Sequence, residues 1–409
     1  MNDNRVRNGY AHSVGHMSAS EEVVIVDAVR SPIGRRNGAL ASASSTEVLG
    51  DVLLALVERT GLDPNVVDHV VGGCVNQLGM QASNVARHAW LAAGLPLEVP
   101  AVTVNTQCGS SQEAVTLSHG LIASGIADVA VACGVELMSR IPLGSNVPRE
   151  PDYGTPRGGR YARFHEPTTQ FEGAERIAEK WSIERDQLDA FGKRSQDLAI
   201  AAWEQGRFDR QIVPIEVPAR DATGTITVDR DEGLRETTLE ALAGLTPITR
   251  AGGAPARHTA GTASQISDGA SAALLMSRRR AEQLGLRPRA IVRRSVLVGS
   301  DPVLMLTGPI VATEKILRDT GLSIDDIDLV EINEAFASVV LAWLAETHAD
   351  PAKVNPNGGA IALGHPLGAT GTVLLAKAVD ELERTGGRLG LVTMCCGGGL
   401  GTGTLLERA

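Results

Sequence analysis

Apolar and polar positions follow two rhythms along most of the chain. Residues 21–34, EEVVIVDAVRSPIG, form an apolar run that ends in a turn, the pattern of a short buried strand. Residues 45–61, STEVLGDVLLALVERTG, instead repeat apolar residues at helical spacing and stop at glycine. VVDHVVGGCV then reads as a strand, NVARHAWLAAG as a helix and VPAVTVN as another strand. Alternation of this kind predicts an α/β layered architecture.

The rhythm breaks between about residues 141 and 262. IPLGSNVPREPDYGTPRGGR is rich in proline, glycine and arginine, and ERDQLDAFGKRSQDLAIAAWEQGRF is an amphipathic helix. The stretch reads as a loop domain inserted into the first α/β unit, and such insertions form lids or binding walls. From about residue 288 the opening pattern starts again. PRAIVRRSVLVG parallels the first strand, and SIDDIDLVEINEAFASVVLAWLAE repeats the strand-then-helix theme. AVTVNTQCGSS pairs with AKVNPNGGAIALGHPLGATG, and ADVAVACGVELM with GRLGLVTMCCGGGLG. Order kept across four elements points to a duplicated domain. The expected organisation is a disordered tail over 1–20, an N-terminal domain over 21–287 interrupted by the loop domain, and a C-terminal domain over 288–409.

Composition narrows the picture. The chain has 409 residues, 43% hydrophobic, enough for two or three globular units. A net charge of -10 argues against a general nucleic-acid surface, so a polyanionic ligand would have to meet local arginines or backbone amides. No stretch approaches twenty uninterrupted apolar residues, and the first twenty lack the apolar centre of a secretion signal. A cytoplasmic protein without a membrane span is expected. His12 and His16 read as solvated filler in the tail, and Met17 offers an alternative translation start. Five cysteines, odd in number and irregularly spaced, suit a reducing compartment rather than a disulfide framework.

Four segments carry candidate chemistry. Cys108, in VNTQCGSSQEA, stands between a strand end and a helix start, where unpaired amides and the helix dipole favour thiolate. Cys74 and Cys133 share an apolar setting without such a mark and read as structural. His365 lies in the glycine-rich GGAIALGHPLGATG, which either forms a tight turn or lets a base approach another loop and a ligand. VTMCCGGGLG puts Cys395 and Cys396 at a strand end before glycines whose amides are free to face an anionic oxygen. Asn333, in EINEAFA, either caps the following helix or fixes a water or donor in a cleft, with Glu331 and Glu334 as further polar candidates. There is no C-x-x-C pair, GxxxxGK loop or GxGxxG turn, which argues against zinc, redox-disulfide, ATP or NAD chemistry.

In this order the four segments resemble the thiolase family, which exchanges acyl groups between an enzyme cysteine and coenzyme A. The resemblance covers about residues 21–409, and GGCVNQLG, ARHAWLAAGLP and QCGSS are similar to bacterial degradative members, including those of steroid side-chain breakdown. It implies a duplicated thiolase-like fold of two mixed-sheet and helix domains. It also implies Cys108 as the acylated nucleophile, His365 as the residue that activates it, and Cys395 as the second cysteine that exchanges a proton with the α-carbon or the incoming thiol. Asn333 matches the residue that orients a water, forming one oxyanion hole with His365. The backbone amides of Cys108 and Gly397 match the second. Ser264, in HTAGTASQISDGASA, falls near the pantetheine arm by resemblance, and Arg235, in DEGLRETT, near the nucleotide end of CoA.

The resemblance further implies CoA as co-substrate with no tightly bound cofactor or metal, a homodimer or homotetramer, and thiolytic cleavage of a 3-oxoacyl-CoA. Rival readings are an acetoacetyl-CoA thiolase, a decarboxylating condensing enzyme and a non-catalytic CoA- or lipid-binding protein. Two departures stand out. Ser111 occupies a place that is often glycine in the family, and Thr169 and Gln170 stand where acetoacetyl-CoA enzymes often carry His-Met. The second favours a longer or bulkier acyl group.

Overall fold

A computed structural model describes residues 22–147, 150, 153–219 and 224–409. The expected tail, with His12, His16 and Met17, lies outside the described residues. The strands are β1 (Val23–Arg30), β2 (Gly34–Arg35), β3 (His69–Gly73), β4 (Ala101–Val104), β5 (Val129–Leu137), β6 (Ile215–Pro218), β7 (Thr225–Val228), β8 (Ser267–Ser277), β9 (Ala290–Gly299), β10 (Leu329–Ile332), β11 (Leu389–Cys396) and β12 (Leu400–Arg408).

Ten of them form one sheet in the order β10-β11-β12-β9-β1-β8-β5-β3-β4, with β2 on β8. The two halves repeat one topology. β3 runs parallel to β4 and β5, and β8 is antiparallel to both β5 and β1. In the second half β10 runs parallel to β11, and β12 is antiparallel to both β11 and β9. The counterpart of β4 has shrunk to one parallel bridge, Val354 on Val330. The halves join edge to edge where Val24 and Ile25 of β1 pair with Ile291 and Ala290 of β9.

The strand periodicity builds layers. Val24 and Val26 enter a core shared with the helix Ser45–Thr60, whose Val48, Leu49, Val52, Leu53, Leu56 and Val57 form one apolar stripe. That helix ends at Gly61, whose φ of 63° lets its N–H return to the last turn. Val23 and Ile25 face the other way, into a core with the helices Ser110–Ala123 and Thr370–Thr385. These two helices touch each other and strands of both half-sheets, so they form a central layer. Residues 370–382 are all buried, its polar side chains such as Lys377, Asp380 and Glu381 included. The helices Gly308–Thr320 and Ala337–Thr347 share a core with the outer face of the second half.

Between β5 and β8 the chain leaves the sheet to form the hairpin β6–β7 and the helices Gly158–Tyr161, Gln170–Lys180, Arg185–Glu204 and Leu239–Ala243. A fully buried pair ties this excursion to β1, because the Arg30 guanidinium donates to both oxygens of Asp231 at 2.7 and 2.9 Å. Both N-termini of the central helices face one end of the sheet. The turns that precede them carry Cys108 and His365.

Candidate active site

Four residues after β4, Cys108 stands just before Gly109, the N-cap of the helix Ser110–Ala123. Side chains hold its turn. Asn105 donates to Val75 O and accepts the Gln107 N–H, while the Ser110 hydroxyl donates to Gln107 O at 2.6 Å and accepts the Thr106 N–H. Gln107 sits at φ 52°, a left-handed conformation that this bonding holds in place. Gly109 is needed for close approach: a Cβ there would lie 2.6 Å from Cys396 Sγ and 2.8 Å from Thr402 Cγ2.

The sulfur is buried, and desolvation pushes the Cys108 thiol up to about 11, against the pull of the Gly397 N–H and its own N–H. Burial thus opposes the pull toward thiolate that the helix start exerts. Cys395 is also buried, and its thiol lies well above the usual range, first by desolvation and then by proximity to Cys108 and Cys396. Burial likewise raises Cys133 to about 12 and carries Cys74 and Cys396 higher still.

His365 comes from the second half. Its turn abuts the nucleophile's helix so closely that a Cβ on Gly371 would collide with the Gln112 main chain. Close backbone approach and a turn with positive φ at Gly358 and Gly364 are thus both built from these glycines. The ring is buried, and desolvation brings it down to about 4, so it rests neutral. Its Nδ1 is 2.6 Å from Thr370 Oγ1, and its Nε2 is 3.3 Å from Asn333 Nδ2. Asn333 follows β10 directly and is fully buried, with Oδ1 unpaired among the described residues. It is not the N-cap of the following helix, a place taken by Phe336.

The other polar residues of EINEAFA are supports. Glu331 accepts from buried Lys377 at 2.7 Å, and Lys377 also donates to Gly358 O. Glu334 accepts from Ser195, Asn355 and the Ile361 N–H, fixing the loop ahead of His365. Ser264 lies between the two reactive loops. Its N–H donates to Ala335 O, and the next carbonyl, Gln265 O, accepts the His365 N–H at 3.3 Å. Arg235 is exposed and lines a cavity of about 170 Å³ with Leu242, Leu245, Ala260, Gly261 and Ile361. A larger cavity of about 530 Å³ opens near the far end of the helix Thr370–Thr385. Its arginines are largely matched there by Asp27 and Glu383, and none of the four candidate segments reaches it.

Three supporting residues escaped the sequence reading. Glu136, the lone carboxylate in the buried strand VAVACGVEL, accepts the N–H groups of Val75, Asn76 and Gly368 and the side-chain amides of Asn76 and Gln81. Gln112 donates to Val392 O and Thr404 and accepts from Thr402, joining the nucleophile's helix to β11 and β12. Thr370 touches His365 directly. A polar residue inside an otherwise apolar strand was the available signal for Glu136. Ser111 is buried, and its hydroxyl accepts the Thr372 N–H.

Residues 23–279 match the thiolase N-terminal domain, and residues 286–408 match the thiolase C-terminal domain. The chain belongs to the thiolase family. A steroid 3-ketoacyl-CoA thiolase of Mycobacterium tuberculosis is 49% identical over 400 residues, covering 96% of each chain. A beta-ketoadipyl-CoA thiolase of Pseudomonas aeruginosa is 43% identical over 407 residues, covering 95% of this chain and all of the relative. The crystal structure of a Bacillus anthracis acetyl-CoA acetyltransferase superposes with a TM-score of 0.86 at 37% identity, covering 95% of this chain and 99% of that one. The crystal structure of human mitochondrial 3-ketoacyl-CoA thiolase gives the same TM-score at 33% identity, covering 96% of this thiolase and all of that chain. The protein is thus a thiolase-type acyltransferase that acts on CoA thioesters. Among its described residues no helix is long and apolar enough to cross a membrane, and no cluster of three or more His, Cys, Asp or Glu could hold a metal ion.

Proposed function

We propose that this thiolase is degradative: it cleaves a 3-oxoacyl-CoA with CoA, giving acetyl-CoA and an acyl-CoA shorter by two carbons. The observation that carries the thiolase chemistry is the convergence at one pole of the fold, and the degradative direction is favoured by the likeness to the mycobacterial relative. At that pole Cys108 and the two cysteines of β11 come close enough to influence one another's ionisation, and His365, on the turn packed against the Cys108 helix, meets Asn333 from the end of β10 at 3.3 Å.

In this reading His365 Nε2 takes the Cys108 proton as the sulfur attacks the 3-keto carbon. Carbon–carbon cleavage leaves the acyl group on Cys108 and the acetyl-CoA enolate, which Cys395 protonates. The Cys395 thiolate then deprotonates the incoming CoA thiol, whose sulfur takes the acyl group, and the Cys108 thiolate released recovers its proton from His365. A neutral thiol–imidazole pair suits this sequence, since charge forms only when an oxyanion is there to meet it. The Cys108 and Gly397 amides would stabilise the tetrahedral intermediate, and Asn333 with His365 the thioester oxygen that becomes the enolate. One such donor contributes about 3 kcal/mol in other enzymes. The Gly397 N–H already reaches the Cys108 sulfur, which supports its place in the first set.

Ser264 and Arg235 are proposed to meet CoA. Support comes from the cavity lined by Arg235, which shares Ile361 with the loop that leads to His365. A bulky acyl group, such as a steroid side chain, fits the likeness to the mycobacterial relative and the Thr169 and Gln170 positions, where Thr169 instead caps the helix Gln170–Lys180. A beta-ketoadipyl chain is the second reading, favoured by the Pseudomonas relative. A homo-oligomer is supported by β4, the last strand at one end of the sheet among the described residues, where Val102 is exposed. The cytoplasm is the proposed location. The test mixes the enzyme and CoA with 3-oxoacyl-CoA esters from four carbons to long-chain, carboxylated and steroid side-chain forms. Cleavage rising with acyl bulk is expected; turnover of the four-carbon ester alone would make this a short-chain thiolase.

A further inference from the structure

We propose that Thr370 is a positioning residue that keeps the ring proton of His365 on Nδ1, so that Nε2 presents its lone pair to Cys108. The inference rests on the functional reading above for its role in catalysis, and on hydrogen-bond geometry for the tautomer.

The Thr370 hydroxyl has one proton and two lone pairs. It donates to Pro366 O at 2.9 Å, the carbonyl one helical turn back that also accepts the Thr370 N–H. With that proton committed, only a lone pair is left to face His365 Nδ1 at 2.6 Å, so Nδ1 must bring the hydrogen. The opposite side of the ring agrees. Nε2 faces the amide nitrogen of Asn333 at 3.3 Å, a donor that suits a lone pair and would oppose a second N–H. The main chain fixes the ring between them, because the His365 N–H donates to Gln265 O and to Ser267 Oγ.

A hydroxyl in this place has a consequence that a carboxylate would not. A carboxylate on Nδ1 would stabilise imidazolium and raise the ring's basicity. The hydroxyl fixes the tautomer and leaves the ring neutral. When the S–H bond of Cys108 breaks, its proton goes to Nε2, the electron pair stays on sulfur, and the resulting imidazolium still donates Nδ1–H to Thr370. On the Nδ1 side no partner has to turn during the transfer, whereas the Asn333 amide gives way to the new Nε2 proton. Such a device supplies part of the gain that a correctly placed base gives, about 10²–10⁴-fold in general acid–base catalysis.

The experiment uses the full chain labelled with ¹⁵N-histidine, the His365→Asn variant to assign the His365 ring signals, and the variants Thr370→Val and Thr370→Ser. Nitrogen spectra separate protonated from bare ring nitrogens, and rapid quench with a 3-oxoacyl-CoA gives the rate of Cys108 acylation. In wild type, Nδ1 is expected to be protonated and Nε2 bare. Thr370→Val should populate the Nε2–H tautomer and slow acylation about 10²-fold, and Thr370→Ser should restore the wild-type spectrum and most of the rate. A wild-type ring protonated on Nε2, or a Thr370→Val enzyme with unchanged tautomer and rate, would overturn the proposal. If wild-type Cys108 is never acylated, the functional reading fails, while the spectra still decide what Thr370 does.

Discussion

Glu136 on β5 accepts the Gly368 N–H at 3.0 Å, and this bond joins the nucleophile's half of the molecule to the turn that carries His365. The same carboxylate accepts four further N–H groups from Val75, Asn76 and Gln81. Desolvation pushes its pKa upward, yet every partner is a donor, which matches an ionised carboxylate. Glu136→Ala would leave five buried donors without their acceptor. It should cost about 3 kcal/mol or more in chemical denaturation, since each unmet buried group costs about 1–3 kcal/mol. A loss below 1 kcal/mol would mean that water replaces the carboxylate.

Lys377 and Glu331 form a buried pair in the central layer, with side-chain exposures of 1% and 0%. Desolvation raises Glu331 to about 7, with Lys377 pulling it back. Folded Glu331 thus holds its proton more tightly than at the ordinary 4.5, so its contribution to stability is full below about 4.5 and is lost as pH rises through about 7. Lys377→Met strands the charged carboxylate. It should cost about 3–5 kcal/mol at pH 8 and clearly less at pH 5, read from denaturation curves at both values.

The resting Cys108–His365 pair is neutral, with the thiol up near 11 and the imidazole down near 4. Without substrate, iodoacetamide should label Cys108 slowly at pH 7 and steadily faster as pH climbs past 9. A rate that levels off below pH 8 would show a preformed thiolate.

Gly109 has no room for a side chain between the nucleophile's turn and the end of β11. Gly109→Ala should displace Cys108 and lower kcat/KM about 10²-fold, the scale of a misplacement near 1 Å. Adding Cys396→Ala removes the sulfur 2.6 Å from the new methyl and should recover part of the loss, with Thr402 still in the way. No recovery in the double variant would place the obstruction at Thr402.

The α/β layering and the duplication were legible because the strands and helices keep their periods and because the repeat preserves its order. Cys108, Cys395 and Asn333 stood out because each lies at the end of a strand-like run beside a turn or helix start, and His365 because of the glycines around it, so local pattern alone marked them. Their supports did not. Glu136 acts across 232 residues on Gly368, and Gln112 across 280 on Val392, separations that no local window can register. Ionisation was hidden for a related reason. The helix start near Cys108 is visible in sequence, whereas the burial that overrides it comes from elements of both halves packed around the sulfur. The edge pairing of β1 with β9 also escaped, since a two-residue match carries no signature of its own.

The central claim is that Cys108 carries the acyl group. The most direct measurement is to quench the enzyme with acid after mixing it with a 3-oxoacyl-CoA in the absence of free CoA, then locate the added mass by peptide mapping. The account predicts one acyl group, two carbons shorter than the substrate's, on the peptide containing Cys108, released on addition of CoA and absent in Cys108→Ala. An acyl group on Cys395 or Cys396 instead, or acetyl-CoA formed by the Cys108→Ala enzyme, would contradict it.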